Sequence, residues 1–267
     1  MGARRDASTS NEPGTVAGLQ RDICYSEAMS KSPVGWGEDA LTDYLEAHRG
    51  NQLATFANKR GPMADLIRID AMFNRFLNGA INPRPFYPMG FMLRAHAAFR
   101  AGVGAVMSGQ LFESQALLRL CLEHAAYGFY IGANKDRMER WLRRGDSDEN
   151  RKAMRSEFHN DKIKNHIQAS APIMRGQYER LYNQLIEFGA HPNEMGYSLN
   201  TRLERNEAGD ASIQTVYLQA DGAPLDMGLK VAGQTGLWAL HLMQLLYRER
   251  FELLGIRADL EEVRTRF

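Results

Sequence analysis

Residues 110–133, QLFESQALLRLCLEHAAYGFYIGA, decide how the chain reads. The stretch is long enough for about six helical turns, and it is apolar on almost every face. A helix that is hydrophobic all round is normally buried in a core. Its middle nevertheless carries Arg119, Glu123 and His124. Ionisable groups taken out of water cost several kcal/mol unless each finds a partner. The stretch therefore predicts a central helix with a polar knot inside it, and that knot is the first lead to function.

Arg119 and Glu123 stand at i and i+4, share a helix face and can pair. One reading is a buried intrahelical ion pair with a purely structural role. The other is an acid held ready in a pocket, with Arg119 fixing its charge state or gripping an anionic ligand. His124 points about 100° further round the axis, as a satisfied core residue or as an acid/base beside the pocket. Tyr127, in the same helix, is a candidate ligand contact.

Working outward, a first helix is expected from Glu38 to His48, and Pro62 can open the next at its N1 position. In that second helix Met63, Leu66, Ile67, Ile69, Met72, Phe73, Phe76 and Leu77 mark a wide apolar face, with Arg68, Asp70 and Arg75 on the rest. The three prolines of residues 81–90, INPRPFYPMG, require a loop. A helix over Phe91–Ser108 follows. Its Gly102 and Gly104 lack the third glycine and the preceding strand of a dinucleotide motif, so they read as helix-packing positions. Asn134 and Ser147 can each cap a further helix, the second running to Gln168, and this polar pair is expected at the periphery. Pro172 opens the next helix, which ends at Gly189. Residues 212–219 alternate in β fashion and precede a turn. That region reads as a small hairpin within 212–231, or as one strand running into a helix. A last long helix is expected over Met227–Gly255, its glycines thinning one side. The expectation is an all-α helical bundle with a small β-element, residues 36–267 forming one domain behind a mobile tail of residues 1–35.

A net charge of +1 supplies no field to gather nucleic acid or anionic membrane. The two cysteines, Cys24 and Cys121, fit no metal or redox spacing and read as free thiols of a reducing compartment. With no apolar leader at the N-terminus and with charge interrupting the 116–133 run, a cytoplasmic protein without a membrane span is expected.

The second lead is the loop Phe188-Gly-Ala-His191-Pro-Asn193. Pro192 pushes His191 towards an extended backbone and gives its side chain a defined direction. It is either a helix-ending turn whose imidazole bonds a local carbonyl, or a loop whose His191 and Asn193 reach Arg119 and Glu123, with Tyr178 and Tyr182 a few turns upstream in the helix that runs into it. His241 in the last helix, between Leu237 and Leu245, favours a core role. Glu123, His124, His191 and His241 are residue types that could hold zinc or iron, but no HxxxH, ExxH or HxxEH spacing is present. GxSxG and Walker A motifs are absent as well. Residues 135–155 hold eight basic and five acidic side chains. That imbalance reads either as a phosphate-contacting face of Arg137, Arg140 and Arg144 beside Trp141 or as a solvated, salt-bridged pair of helices.

The stretches ALLRLCLEHAAYGFYI, YNQLIEFGAHPNE and LDMGLKVAGQTGLWAL together resemble a group of uncharacterised bacterial all-helical proteins with an Arg/Glu-bearing central helix and a His-Pro turn. The likeness covers about residues 60–255 and carries no activity. A looser similarity is to the HEPN helical-bundle ribonucleases, many of them toxins or defence effectors, whose signature is Arg, four to six residues, then His. Arg119 and His124 meet that spacing. This resemblance implies a metal-independent ribonuclease in which His124 or His191 is the acid/base and Arg119 stabilises phosphorane charge.

Three functions thus stand at this stage. The first is a small-ligand or partner-binding module, working as a homodimer, with Arg119, Tyr127, Tyr182 and Asn193 contacting ligand around Glu123 and His191, and with no cofactor. The others are the ribonuclease, with RNA as partner, and a metal-dependent hydrolase. On the first, Glu123→Gln and His191→Ala keep the fold and lose binding.

Overall fold

Local chemistry sets the helix starts. The Asp39 carboxylate accepts from the amides of Leu41 and Thr42 and opens α1 (Ala40–Asn58). Lys59 breaks the chain before α2 (Arg60–Leu77), so Pro62 falls inside the first turn of that helix instead of at its first residue. In α3 (Tyr87–Ser108) Pro88 occupies the first turn, which shortens the proline loop from the expected 81–90. The decisive stretch forms α4 (Leu111–Gly132). As expected, Asn134 caps α5 (Lys135–Leu142) and Ser147 caps α6 (Asp148–Glu157). The helix expected to run on to Gln168 is interrupted at Phe158, and His159 caps a separate α7 (Asn160–Ser170). Pro172 begins α8 (Pro172–Leu185), which unwinds through a wide turn at Ile186–Ala190. The loop expected after it is largely a short helix, α9 (Glu194–Asn200).

Strand β1 (Thr201–Arg205) pairs antiparallel with β2 (Ala211–Thr215). The β-prone run thus finds its partner upstream, and LDMGLKV belongs to α10 (Ala223–Gln244). The last long helix is correspondingly shorter than expected, with α11 (Arg248–Leu253) and α12 (Ile256–Arg264) following it. These elements come from a computed structural model that describes residues 32–205 and 209–267. Among the described residues the protein is all-α, with twelve helices and one two-stranded sheet. The expected tail of residues 1–35 lies outside them except for its last four positions, and so does Cys24.

The core lies between α2, α3, α4 and α10, where Ile69, Phe73, Phe99, Leu118, Leu122 and Leu240 are essentially inaccessible. Cys121 is buried in it, and desolvation pushes its thiol up to about 12, so it is protonated and inert. Gly102 of α3 and Gly228, Gly233 and Gly236 of α10 serve packing within the chain. A Cβ on Gly236 would stand 2.7 Å from both Ile69 Cγ2 and Phe99 Cε2. α7, expected at the periphery, instead sinks Ile163 and Ile167 into the core. What α2 and α3 share is not only apolar. The two oxygens of Asp70 accept from Nε and Nη2 of Arg100 at 2.7 and 2.9 Å, and His96 Nε2 lies 2.6 Å from its Oδ1. The His96 ring is buried and stacks on Phe73, with centroids 4.9 Å apart. Burial opposes the Asp70 charge, but Arg100 and His96 outweigh it and hold the carboxyl far below its usual range.

Two predictions follow from this packing. Gly236→Ala overpacks a rigid contact and should cost about 1–3 kcal/mol, read from chemical denaturation; an unchanged midpoint contradicts the close approach. His124, His166 and His241 all have depressed pKa values, burial being the first cause in each. A folded pKa below the unfolded one means that acid protonates the unfolded chain first. That contribution is therefore full above roughly pH 6.5 and is lost as pH falls through the folded values. The urea midpoint should drop on acidification from pH 7, and His241→Gln should flatten part of the slope. An equally steep slope in that variant excludes His241 as a contributor.

Candidate functional site

Residues 119, 123 and 127 advance by four, so they form one stripe along α4. The helices around α4 leave this stripe open. Arg119 and Glu123 retain 26% and 32% of their side-chain exposure. The polar knot therefore lies on the wall of a cleft and not inside the core, and water helps to solvate it. The cleft has a volume of about 420 Å³. Its opposite walls come from Arg144 after α5, from Met154 and Arg155 of α6, from Phe158, His159, Asn160 and Ile163, and from Tyr178 and Tyr182 of α8.

Arg119 is held from two sides. Its Nε donates to Glu123 Oε1 at 2.9 Å and an Nη donates to the Tyr182 hydroxyl at 3.0 Å. Its guanidinium carbon sits 5.0 Å above the Tyr182 ring centre. Partial burial works against its charge, but Glu123 and Tyr182 prevail and raise its pKa further. Tyr178 stacks on Tyr182 with centroids 5.4 Å apart and donates to Asn160 Oδ1 at 2.9 Å. Tyr127 stacks on Phe158 and donates to its carbonyl at 3.3 Å. Burial and then neighbouring charge raise the pKa of all three tyrosines, so they stay neutral donors.

Arg144 and Arg155 have no carboxylate partner among the described residues. Arg143 has none either but does not line the cleft, and the remaining arginines of the basic stretch are engaged. Arg137 and Arg140 both pair with Glu157, which also accepts from Tyr130, and Arg151 pairs with Asp148. Of the expected face of Arg137, Arg140 and Arg144, the first two are taken up by Glu157, and Arg144 lines the cleft together with Arg155.

The structure brings together Arg119, Glu123, Tyr127 and Tyr182 of the expected site and separates the rest. His124 faces α3, with its ring 6.1 Å from that of Phe91. Burial, then Arg94, lowers its pKa and keeps it neutral. His191 is exposed, and its Nδ1 lies 3.2 Å from the Pro192 carbonyl. Its turn presses on the start of α4, because a Cβ on Gly189 would collide with the Phe112 carbonyl and Gly189 sits at φ 151°. Glu123 is eleven residues further along the helix, about 16 Å at 1.5 Å per residue. Asn193 caps α9 by accepting from Gly196 N–H, while its amide donates to the carbonyls of Ile186 and His191. His241 borders a different cavity, of about 330 Å³, with Trp238 and Gln234. Among the described residues no group of three or more His, Cys, Asp or Glu is placed to hold a metal ion.

His159 and Asn160 are cleft residues that the sequence reading missed. The signal was present as the break at Phe158-His159, where a histidine stands in a capping position. Compared with known proteins, the chain matches no family model, no curated protein and no solved structure.

The Arg119–Tyr182 contact can be measured directly. A double-mutant cycle with Arg119→Met and Tyr182→Phe should give a coupling of about 1 kcal/mol. A coupling within error of zero would mean that α4 and α8 are not joined there.

Proposed function

We propose that the protein is a small-ligand-binding module whose site is the tyrosine-lined cleft beside α4, and whose ligand joins an anionic group to a planar apolar one. The observation that carries this reading is the pair of unpartnered guanidinium groups, Arg144 and Arg155, facing a fixed Arg119 across aromatic walls. Arginine offers a planar fork of donors suited to phosphate and carboxylate. Tyrosine and phenylalanine faces supply stacking area, and the cleft volume suits a nucleotide-sized molecule. Glu123 pairs with Arg119 and neighbours Tyr182, and its carboxylate is an acceptor on the cleft wall for a ligand N–H or O–H. In this reading Arg119, Glu123, Tyr127 and Tyr182 contact ligand, and His191 does not.

The ribonuclease alternative draws less support from the geometry. Arg119 faces the cleft, but His124 packs against the α3 side and His191 lies near the other end of the helix.

Titration calorimetry of the full chain with nucleoside 5′-monophosphates, nucleoside 5′-triphosphates and inorganic pyrophosphate tests the proposal. At least one nucleotide should bind more tightly than pyrophosphate. Arg144→Ala and Arg155→Ala should each weaken it about tenfold, one charge-assisted contact apiece. Glu123→Gln should alter the preference among bases while leaving pyrophosphate binding unchanged. Absence of binding by every probe at millimolar concentration, or binding indifferent to both arginine changes, overturns it.

A further inference from the structure

The hairpin buries almost nothing. All five residues of β2 and four of five in β1 are exposed, and a lone two-stranded hairpin is marginal in water. Leu203 and Ile213 are paired in register and share one face, yet they are 62% and 66% exposed. Met195 and Tyr197 on the adjoining α9 and Tyr217 after β2 are exposed as well.

The direction of the backbone groups follows from one bond. Val216 N–H donates to the Asn200 carbonyl at 2.8 Å, so residues 200 and 216 form a hydrogen-bonded pair. Such pairs alternate along an antiparallel ladder. Arg202 and Glu204 therefore turn their backbone groups towards β2. Those of Thr201, Leu203 and Arg205 face outward, without a backbone partner among the described residues. An edge of this kind is a template for another strand.

We propose that β1 docks against β1 of a second copy of this chain, antiparallel, with the twofold axis at Leu203. Leu203 of each copy then exchanges both backbone hydrogen bonds with its mate, and Thr201 pairs with Arg205. Between them Arg202 faces Glu204 of the second copy in the closer, non-hydrogen-bonded position, twice per dimer. Glu204 is already oriented by Gln214, whose amide donates to it at 2.7 Å. The charges also exclude the neighbouring registers. Pairing Thr201 with Leu203 sets Arg202 against Arg202, and pairing Leu203 with Arg205 sets Glu204 against Glu204. Like charges directly opposite are destabilising. On the apolar face the doubled sheet aligns Ile213, Leu203, Leu203 and Ile213 in one strip. The other edge, Ala211–Thr215, carries no charge and selects no register. Self-complementarity is what identifies a second copy, not a foreign strand, as the occupant.

Sedimentation equilibrium of the full chain tests this. The unaltered protein should be a dimer of twice 30.2 kDa. Arg202→Glu and Glu204→Arg should each weaken the dimer by at least about tenfold, with thermal unfolding of the monomer unchanged. Mixing the two single variants should recover a dimer, and so should the double variant R202E/E204R, because opposite charges then face each other again. A monomeric unaltered protein at micromolar concentration overturns the proposal. So do single variants that dimerise as tightly as the original, or a mixture that fails to recover.

Discussion

The structure depends on how closely α3 and α4 approach. Gly102 lies against Leu118, and Gly128 against Phe91, so small residues let two long helices meet along most of their length. Once α3 covers one side of α4, and α10 and α8 cover others, the stripe through Arg119, Glu123 and Tyr127 is the part left for polar groups. An apolar stripe there would stand in water, and a polar stripe elsewhere would be buried without partners. The cleft is what remains of the α4 surface after the core is packed.

Polar links then hold the outer helices in place around that cleft. Glu157 gathers Tyr130, Arg137 and Arg140 and so ties α5 and α6 to α4. Burial opposes its charge, but Tyr130 and the arginines prevail and lower its pKa. Asp70 does the same between α2 and α3 through Arg100 and His96. Each carboxylate answers several donors, which is the condition under which a half-buried charge is tolerated. Arg144 and Arg155 are left outside these networks, and that is why they carry the functional reading.

Part of the site was legible because it is local. The four-residue spacing of Arg119 and Glu123 requires only helix geometry, and their pairing follows at 2.9 Å. The grouping of His191 with them is not made. A His-Pro turn can be recognised from its residues, but where it lands depends on the length of α8 and on Gly189 fitting beside Phe112. Asn193 looked like a ligand contact because asparagine serves binding and capping equally well, and here it caps α9. The Asp70–His96–Arg100 cluster went unread because its members sit on two helices, and nothing local to either helix shows that those faces meet.

From its residues alone the chain dictates helices, their caps and the all-α class, since apolar period, Asn134, Ser147 and Pro172 act within one or two turns. The burial of α4 was equally plain from its composition. Only packing decided which side of α4 would stay open, which arginines would find carboxylates, and that the β-prone run would pair upstream with residues 201–205 instead of downstream. Those outcomes depend on contacts between residues far apart in sequence, where shape and competing partners choose among pairings that local propensity leaves equal.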